Sequence, residues 1–203
     1  MNKLFFDIET LPAEKEKEKD LLDIYERKIA KGNKSLTTFE EFLEKTGLDG
    51  TFGRIACIGY AINDNPAECL VGDEKKMLQD FWEIAKTCDL FVGFNNMDFD
   101  LRFIYQRSVI QNVRPTKDLL FARYRNNPIY DVMHEWKKWD NQSSISLHAL
   151  AKALGLPSSK EGGIEGSGVA KAYEQGKIAE IAEYCKRDVD LTRKIYKRMT
   201  FES

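Results

Sequence analysis

The strongest constraint lies in the first residues of the chain. Lys3 to Glu9, with Leu4, Phe5, Phe6 and Ile8 apolar, reads as a strand, and Pro12 closes it soon after. Asp7 and Glu9 stand inside it. Side chains two apart on a strand share a face, so two carboxylates project together from a segment whose neighbours call for burial. Either the strand end simply surfaces into water, or the pair holds a hard divalent cation such as magnesium or manganese. For these two residues alone both readings stand.

The rest of the chain alternates between strand and helix patterns. Ala13 to Ala30 reads as a charged amphipathic helix with Leu21, Leu22, Ile24, Tyr25 and Ile29 on its apolar face. A second helix begins near Phe39, with Thr37 or Thr38 as N-cap. Together, residues 12–52 form an expected helical insertion between two strands. Ile55–Ile62 and Ala67–Val71 flank the turn Asn63-Asp64-Asn65-Pro66 and form an expected antiparallel hairpin. There follow a helix over Glu74–Lys86, a strand over Asp89–Phe94, a helix over Asp98–Ser108 and a short strand over Ile129–Met133. Ser146 caps a helix that runs to Leu154. Residues 158–168 form a glycine-rich loop from which Lys160 is placed to meet phosphate, and Lys177–Met199 is a long final helix. Three strands followed by alternating helices and strands predict an α/β fold. Its mixed sheet is antiparallel on one side, parallel on the other and flanked by helices. One domain over residues 1–203 is expected.

At 42% hydrophobic and 32% charged residues, such a chain can bury a core and stay well solvated. No apolar run approaches the roughly 20 residues of a membrane span, and the N-terminus lacks the apolar core of a signal peptide. A cytoplasmic protein is therefore expected, without a membrane partner. Cys57, Cys69, Cys88 and Cys185 form no C-x-x-C pair, so reduced thiols are expected rather than a zinc or redox motif. The net charge of −2 does not announce a nucleic-acid binder. Between residues 101 and 127, however, Arg102, Arg107, Arg114, Lys117, Arg123 and Arg125 face a single acid, Asp118. This is a local basic patch suited to phosphates, or else a solvated surface.

Two further segments carry acids. Gly93-Phe94-Asn95-Asn96-Met97-Asp98-Phe99-Asp100 follows a buried strand and enters a helix, at a strand end where α/β proteins usually bind ligands. Asp98 reads as the helix N-cap, and Asp100 falls in the first turn, where the helix dipole favours an acid. On the last helix, Tyr184 and Asp188 are four apart and share a face with Ile181, Cys185, Thr192 and Ile195. A buried Asp needs a partner, and a metal would serve. A core tyrosine beside a surface carboxylate is the plain alternative.

The order of the three motifs is more specific than any one of them. D-x-E on the first strand, G-F-N-x-x-x-F-D after an internal strand and Y-x-x-x-D on the last helix resemble the DEDD superfamily of 3′→5′ exonucleases, whose fold is ribonuclease H-like. Tyr184 matches its tyrosine-bearing subgroup. The second motif resembles the exonuclease domain of family B DNA polymerases, and the chain is similar to stand-alone bacterial and phage exonucleases related to that domain. No polymerase domain is expected after Ser203. Asp98 departs from the pattern, since polymerase relatives often have Asn there.

The resemblance implies roles. Asp7, Glu9, Asp100 and Asp188 are the metal-binding acids for two divalent cations, Mg2+ or Mn2+, lying about 4 Å apart in such centres. Asp7, Glu9 and Asp188 hold one ion, and Asp7 with Asp100 holds the other. Tyr184 orients the attacking water. Asn95 contacts the substrate backbone or steadies the site, Phe99 packs under the terminal base or into the core, and Thr10 meets the 3′ end. Asp131 resembles a recurring aspartate that either supports the centre or sits in a plain turn. Neither His134 nor His148 is paired with a nucleophile. The implied reaction is hydrolysis of a nucleic acid, DNA or RNA, from its 3′ end. A non-catalytic nucleic-acid-binding module, a structure-specific endonuclease and a metal-dependent phosphatase on the same fold are the competing readings.

Overall fold

The structure is a computed structural model that describes residues 1–32, 38–140, 142, 144–157 and 166–202. Lys160 and most of the glycine-rich loop therefore lie outside the described residues. Five strands form one sheet: β1 (Lys3–Leu11), β2 (Arg54–Ile62), β3 (Glu68–Val71), β4 (Leu90–Gly93) and β5 (Ile129–Asp131). The helices are α1 (Glu18–Ala30), α2 (Phe39–Lys45), α3 (Glu74–Ala85), α4 (Asp100–Ile110), α5 (Val132–Trp136), α6 (Leu147–Ala153), α7 (Val169–Glu174) and α8 (Ile178–Thr200). None among the described residues is long and apolar enough to cross a membrane.

The strand order is β3-β2-β1-β4-β5. β1 and β2 are antiparallel, as are β2 and β3, whereas β1, β4 and β5 run parallel. The sheet is thus mixed and flanked by helices, as the order of elements predicts.

β1 lies at the centre and is apolar on both faces. Leu4, Phe6 and Ile8 enter a core with Met77, Leu78 and Phe81 of α3 and Leu101 and Ile104 of α4. Phe5 points the other way and packs with Val189, Leu191 and Ile195 of α8. Period-two alternation then carries Asp7 and Glu9 onto the α8 face. The nine-residue β1 outruns its parallel neighbour, because its pairing with β4 ends at Phe5↔Val92. Backbone groups beyond that point need other partners.

Several expectations change at element ends. Asp98 does not cap α4. Phe99 occupies the cap position without a side-chain cap bond, and the Asp98 carboxylate turns to His134 Nε2 at 2.8 Å instead. β5 stops at Asp131, because that side chain accepts the His134 N–H at 3.1 Å and starts α5. α1 buries only Leu21, leaving Leu22 and Ile29 exposed. Thr38 caps α2 by accepting from Glu41 N.

The described residues of the 12–53 segment are tied down at both ends, Arg54 of β2 donating to the Pro12 carbonyl at 3.2 Å at the first. Thr10 Oγ1 donates to the Gly47 carbonyl at 2.7 Å, and Ala13 N donates to Thr46 Oγ1 at 2.8 Å. Gly50 N–H donates to Gln106 Oε1 at 3.0 Å.

Candidate active site

Four acids converge from three elements. Asp7 and Glu9 come from β1, Asp100 from the first turn of α4, and Asp188 from the inward face of α8. Asp100 does two jobs by its position. β4 ends at Gly93, and where β1 continues alone the Asp100 Oδ1 accepts the Ile8 backbone N–H at 3.1 Å. One carboxylate thereby closes a vacated strand edge and stands beside the acids on either side of Ile8.

α8 reaches the centre because β2 has a glycine opposite Asp7. Gly59 pairs with Asp7 in the sheet register. A side chain at 59 would place its Cβ 2.8 Å from Cys185 Sγ and 3.1 Å from Val189 Cγ2. With that space open, Cys185 lies against β1, its Sγ 3.4 Å from the Asp7 carbonyl oxygen and 3.5 Å from Asp7 Oδ2. Tyr184 and Asp188 are then carried to the same spot, and both are buried.

The electrostatics show like charges crowded together. Burial pushes the Asp7 carboxyl well above its ordinary range, and Asp100, Asp188 and Glu9 push it further. Glu9 is raised in the same way, by burial and then by Asp188 and Asp100. Asp100 rises to about 7, chiefly through burial, although the Ile8 N–H opposes the rise. Tyr184 is raised by burial, by the Asp188 and Glu9 charges and by its hydrogen bond to Asp188, so its hydroxyl stays protonated. Like charges raise one another's affinity for protons, and a cation bound among them would relieve this. Asp7, Glu9 and Cys185 offer ligand atoms within 4.8 Å of one another. A crowded, buried, oxygen-rich donor set fits a hard divalent cation.

The loop between β4 and α4 is held from β5. Asp131, almost fully buried, accepts the backbone N–H groups of Asn95 at 3.1 Å and Met97 at 3.0 Å, besides that of His134. Asn95 has a positive φ of 60°, a strained conformation that such clamping maintains. Asp131 is thus a loop anchor and start of α5, more than a plain turn residue. Its ordinary place in an I-Y-D strand end gave only a faint sign of this. Phe99 packs on Phe103, with ring centroids 5.7 Å apart, and against the α3–α4 core. Thr10 has its hydroxyl engaged by Gly47.

The basic segment divides. Arg107 is buried and pairs with Glu74 at 2.6 Å, so it is a structural residue and not part of a phosphate-binding surface. Lys117 donates to the Cys88 carbonyl. Arg114, Arg123 and Arg125 are exposed. Arg102, Tyr105, Arg114 and Lys117 help line a groove of 820 Å³ that also reaches Trp82 and Leu101. The same helix, α4, carries Asp100 at its start and Arg102 and Tyr105 further along.

Three cysteines, unrelated by spacing, also meet here. Cys57 of β2, Cys69 of β3 and Cys185 of α8 bring their sulfurs within 4.8 Å of one another. No C-x-x-C motif announces them, because the cluster is made by strand pairing and helix docking.

A family model described as "Predicted 3'-5' exonuclease related to the exonuclease domain of PolB" matches residues 62–203. The matched span contains Asp100, Tyr184 and Asp188, while Asp7 and Glu9 lie ahead of it. Among solved structures, the family B DNA polymerase from the hyperthermophilic archaeon Pyrobaculum calidifontis is similar, with TM-score 0.69 and 16% identity. That alignment covers 98% of this chain and 24% of the polymerase. The chain therefore spans about a quarter of the polymerase it matches, and the likeness establishes its ribonuclease H-like fold. No curated protein matches.

Proposed function

The chain belongs to the family of predicted 3′-5′ exonucleases related to the exonuclease domain of PolB, and on that premise we propose that it hydrolyses single-stranded DNA from the 3′ end, releasing nucleoside 5′-monophosphates. The carrying observation is the convergence of Asp7, Glu9, Asp100 and Asp188 with Tyr184 in one buried cluster. The tyrosine supports a reading of the chain as one of the tyrosine-bearing DEDD subgroup. In this reading residues 1–203 form one catalytic domain, with residues 12–52 as a helical insertion.

Asp7, Glu9 and Asp188 would hold one Mg2+ or Mn2+ ion, and Asp7 with Asp100 a second. When bound, two such ions supply an activated water and stabilise the departing 3′ oxygen. The protein's own residues do the rest. Tyr184 keeps its proton and hydrogen-bonds to Asp188, so it orients the attacking water rather than taking a proton from it. Asp100, fixed by the Ile8 N–H, holds β1 and α4 in register so that all four acids address one phosphodiester. Asp131 clamps the Asn95 loop, which presents Asn95 to the substrate backbone. Phe99, packed against Phe103 with their rings tilted, forms a wall beside the terminal nucleotide. Thr10, at the end of the acidic strand, lies beside the 3′ end with its hydroxyl taken by Gly47, leaving its backbone to make contact. Arg102, Tyr105 and Arg114 offer charge and stacking surface for the strand behind the end.

Single strands labelled at the 5′ end, mixed with the protein and Mn2+, test the proposal. A ladder shortening stepwise from the 3′ end, and abolished by chelator, is expected. Internal cuts would instead identify an endonuclease, and binding without cleavage a non-catalytic module.

A further inference from the structure

Behind the carboxylates lies a second donor set of opposite chemical character. Cys57 and Cys69 sit on paired antiparallel strands, where the register sets Gly59 against Cys69 and Cys57 against Val71. The two cysteines are therefore diagonal neighbours on one face, the face that α8 covers. Cys185 of α8 fits into the space left by Gly59. Cys57 and Cys185 are fully buried, while Cys69 is partly exposed and opens the cluster to solvent. All three sulfurs lie within 4.8 Å of one another.

Three sulfurs on a common ion with Zn–S bonds of about 2.3 Å lie roughly 3.8–4.0 Å apart. The cluster thus needs only a small contraction to close on a cation. Sulfur ligands select soft or borderline ions and oxygen ligands hard ones, so this donor set and the carboxylate set prefer different metals. The two donor sets are neighbours. Glu9 pairs with Cys57 in the sheet register, and Cys185 lies 3.5 Å from Asp7 Oδ2.

We propose that Cys57, Cys69 and Cys185 form a thiolate site for a soft divalent cation of the zinc class, which when occupied restrains the neighbouring carboxylate centre. Each sulfur that binds the ion gives up its proton to solvent. Cys185 then no longer donates its S–H to the Asp7 carbonyl and carboxylate, and its sulfur is drawn toward β2 and β3. Loss of a hydrogen bond to a metal-ligating group typically lowers activity on the order of 10- to 100-fold. The site itself stands on the cysteine geometry, and only its effect on turnover rests on the exonuclease reading.

The test is a Cd2+ titration of the reduced 203-residue chain with excess Mg2+ present to occupy the carboxylates. Thiolate-to-cadmium charge-transfer absorbance should rise and saturate at one ion per chain. It should fall by about a third or more in Cys57→Ser and in Cys69→Ser, in keeping with fewer thiolate ligands, and persist in Asp7→Asn. Mg2+-dependent cleavage by Cys69→Ser, close to the parent's, shows that this variant folds. Zn2+ in slight excess should slow the parent roughly tenfold and slow Cys69→Ser much less. No charge-transfer band in the parent, or a band unchanged in both serine variants, overturns the site. A normal band from a chain that cleaves nothing keeps the site and overturns the exonuclease reading alone.

Discussion

Two carboxylate sites border α4, a single acid near its C-terminal end and a cluster at its first turn, and they have been solved in opposite ways. Glu74, at the start of α3, accepts from Arg107 Nη2 at 2.6 Å and Nε at 2.9 Å, from Gln111 Nε2 at 2.7 Å and from the Ile55 backbone N–H at 2.8 Å. Its charge is met by protein groups alone. Asp7, Glu9 and Asp100 instead press on one another, and burial raises the proton affinity of each. A fold that completes one buried acid so fully has the means to complete others. In the proposed reading the four acids about β1 and α8 are completed by an external cation, whereas Glu74 is part of the frame.

The largest expected effect separates these roles by activity. Asp7→Ala or Asp188→Ala should lower 3′-end cleavage roughly a thousandfold or more, since cation-held charge is worth several kcal/mol in the transition state. Neither variant should melt below the parent in metal-free buffer. Cleavage at the parental rate in both, measured on labelled single strands, would remove the acids from the proposed centre.

Next comes the frame. Arg107→Ala leaves the largely covered Glu74 without its cation, which for a buried pair typically costs about 3–5 kcal/mol. In a chain this long that is a fall in Tm on the order of 10 °C. Thermal denaturation followed by circular dichroism checks it. A Tm within a degree or two of the parent's would show that the pair does not hold α3 to α4.

These two predictions also show what the sequence could and could not convey. β1 was legible as a strand because apolar residues on both faces of seven positions, closed by Pro12, leave few other options. Asp7 and Glu9 were legible as a same-face pair for the same reason. The inward face of α8 followed from helical periodicity, and the structure buries Ile181, Cys185, Thr192 and Ile195 as that periodicity predicts. Arg107 was misleading, since a basic residue in a basic stretch gives no sign that Glu74, 33 positions earlier, waits for it. Asp98 was misread as a cap, because its actual partner, His134, arrives only when β5 pairs with β4. The thiol cluster was likewise out of reach, as three elements must assemble before the sulfurs meet. Local pattern carried the elements and the order of the acids, and long-range pairing decided the rest.

A smaller effect concerns Tyr184. Tyr184→Phe keeps the ring and loses one hydrogen bond to a charged acid, so kcat should drop about tenfold with KM little changed. An equal loss in the pH-independent and pH-dependent limbs of the rate profile supports orientation of water. If the variant instead removed one limb, Tyr184 would be a proton acceptor, against its raised proton affinity.

The smallest effect is on stability and pH. Asp100, raised in the fold to about 7 from an ordinary 3.8, binds its proton more tightly folded than unfolded. Its protonated form therefore stabilises the metal-free fold fully below about pH 4, and that contribution is lost as pH rises through about 7. Asp100→Asn removes the charge, so at pH 8 without metal its Tm should exceed the parent's by roughly 3 °C, the size of about 1 kcal/mol in such a chain. The gap should close as pH falls toward 4. A gap that is constant with pH would mean that Asp100 carries no buried charge to relieve.

The contrast between the two carboxylate groups is tested most directly by calorimetric titration of Mn2+ into the metal-free chain at neutral pH, with Asp7→Asn/Asp188→Asn and Glu74→Gln titrated alongside. Saturable binding of two ions by the parent, kept in Glu74→Gln and lost in the double variant, is the expected result. Binding that survives in the double variant, or no binding by the parent, would contradict a metal centre built on Asp7 and its neighbours.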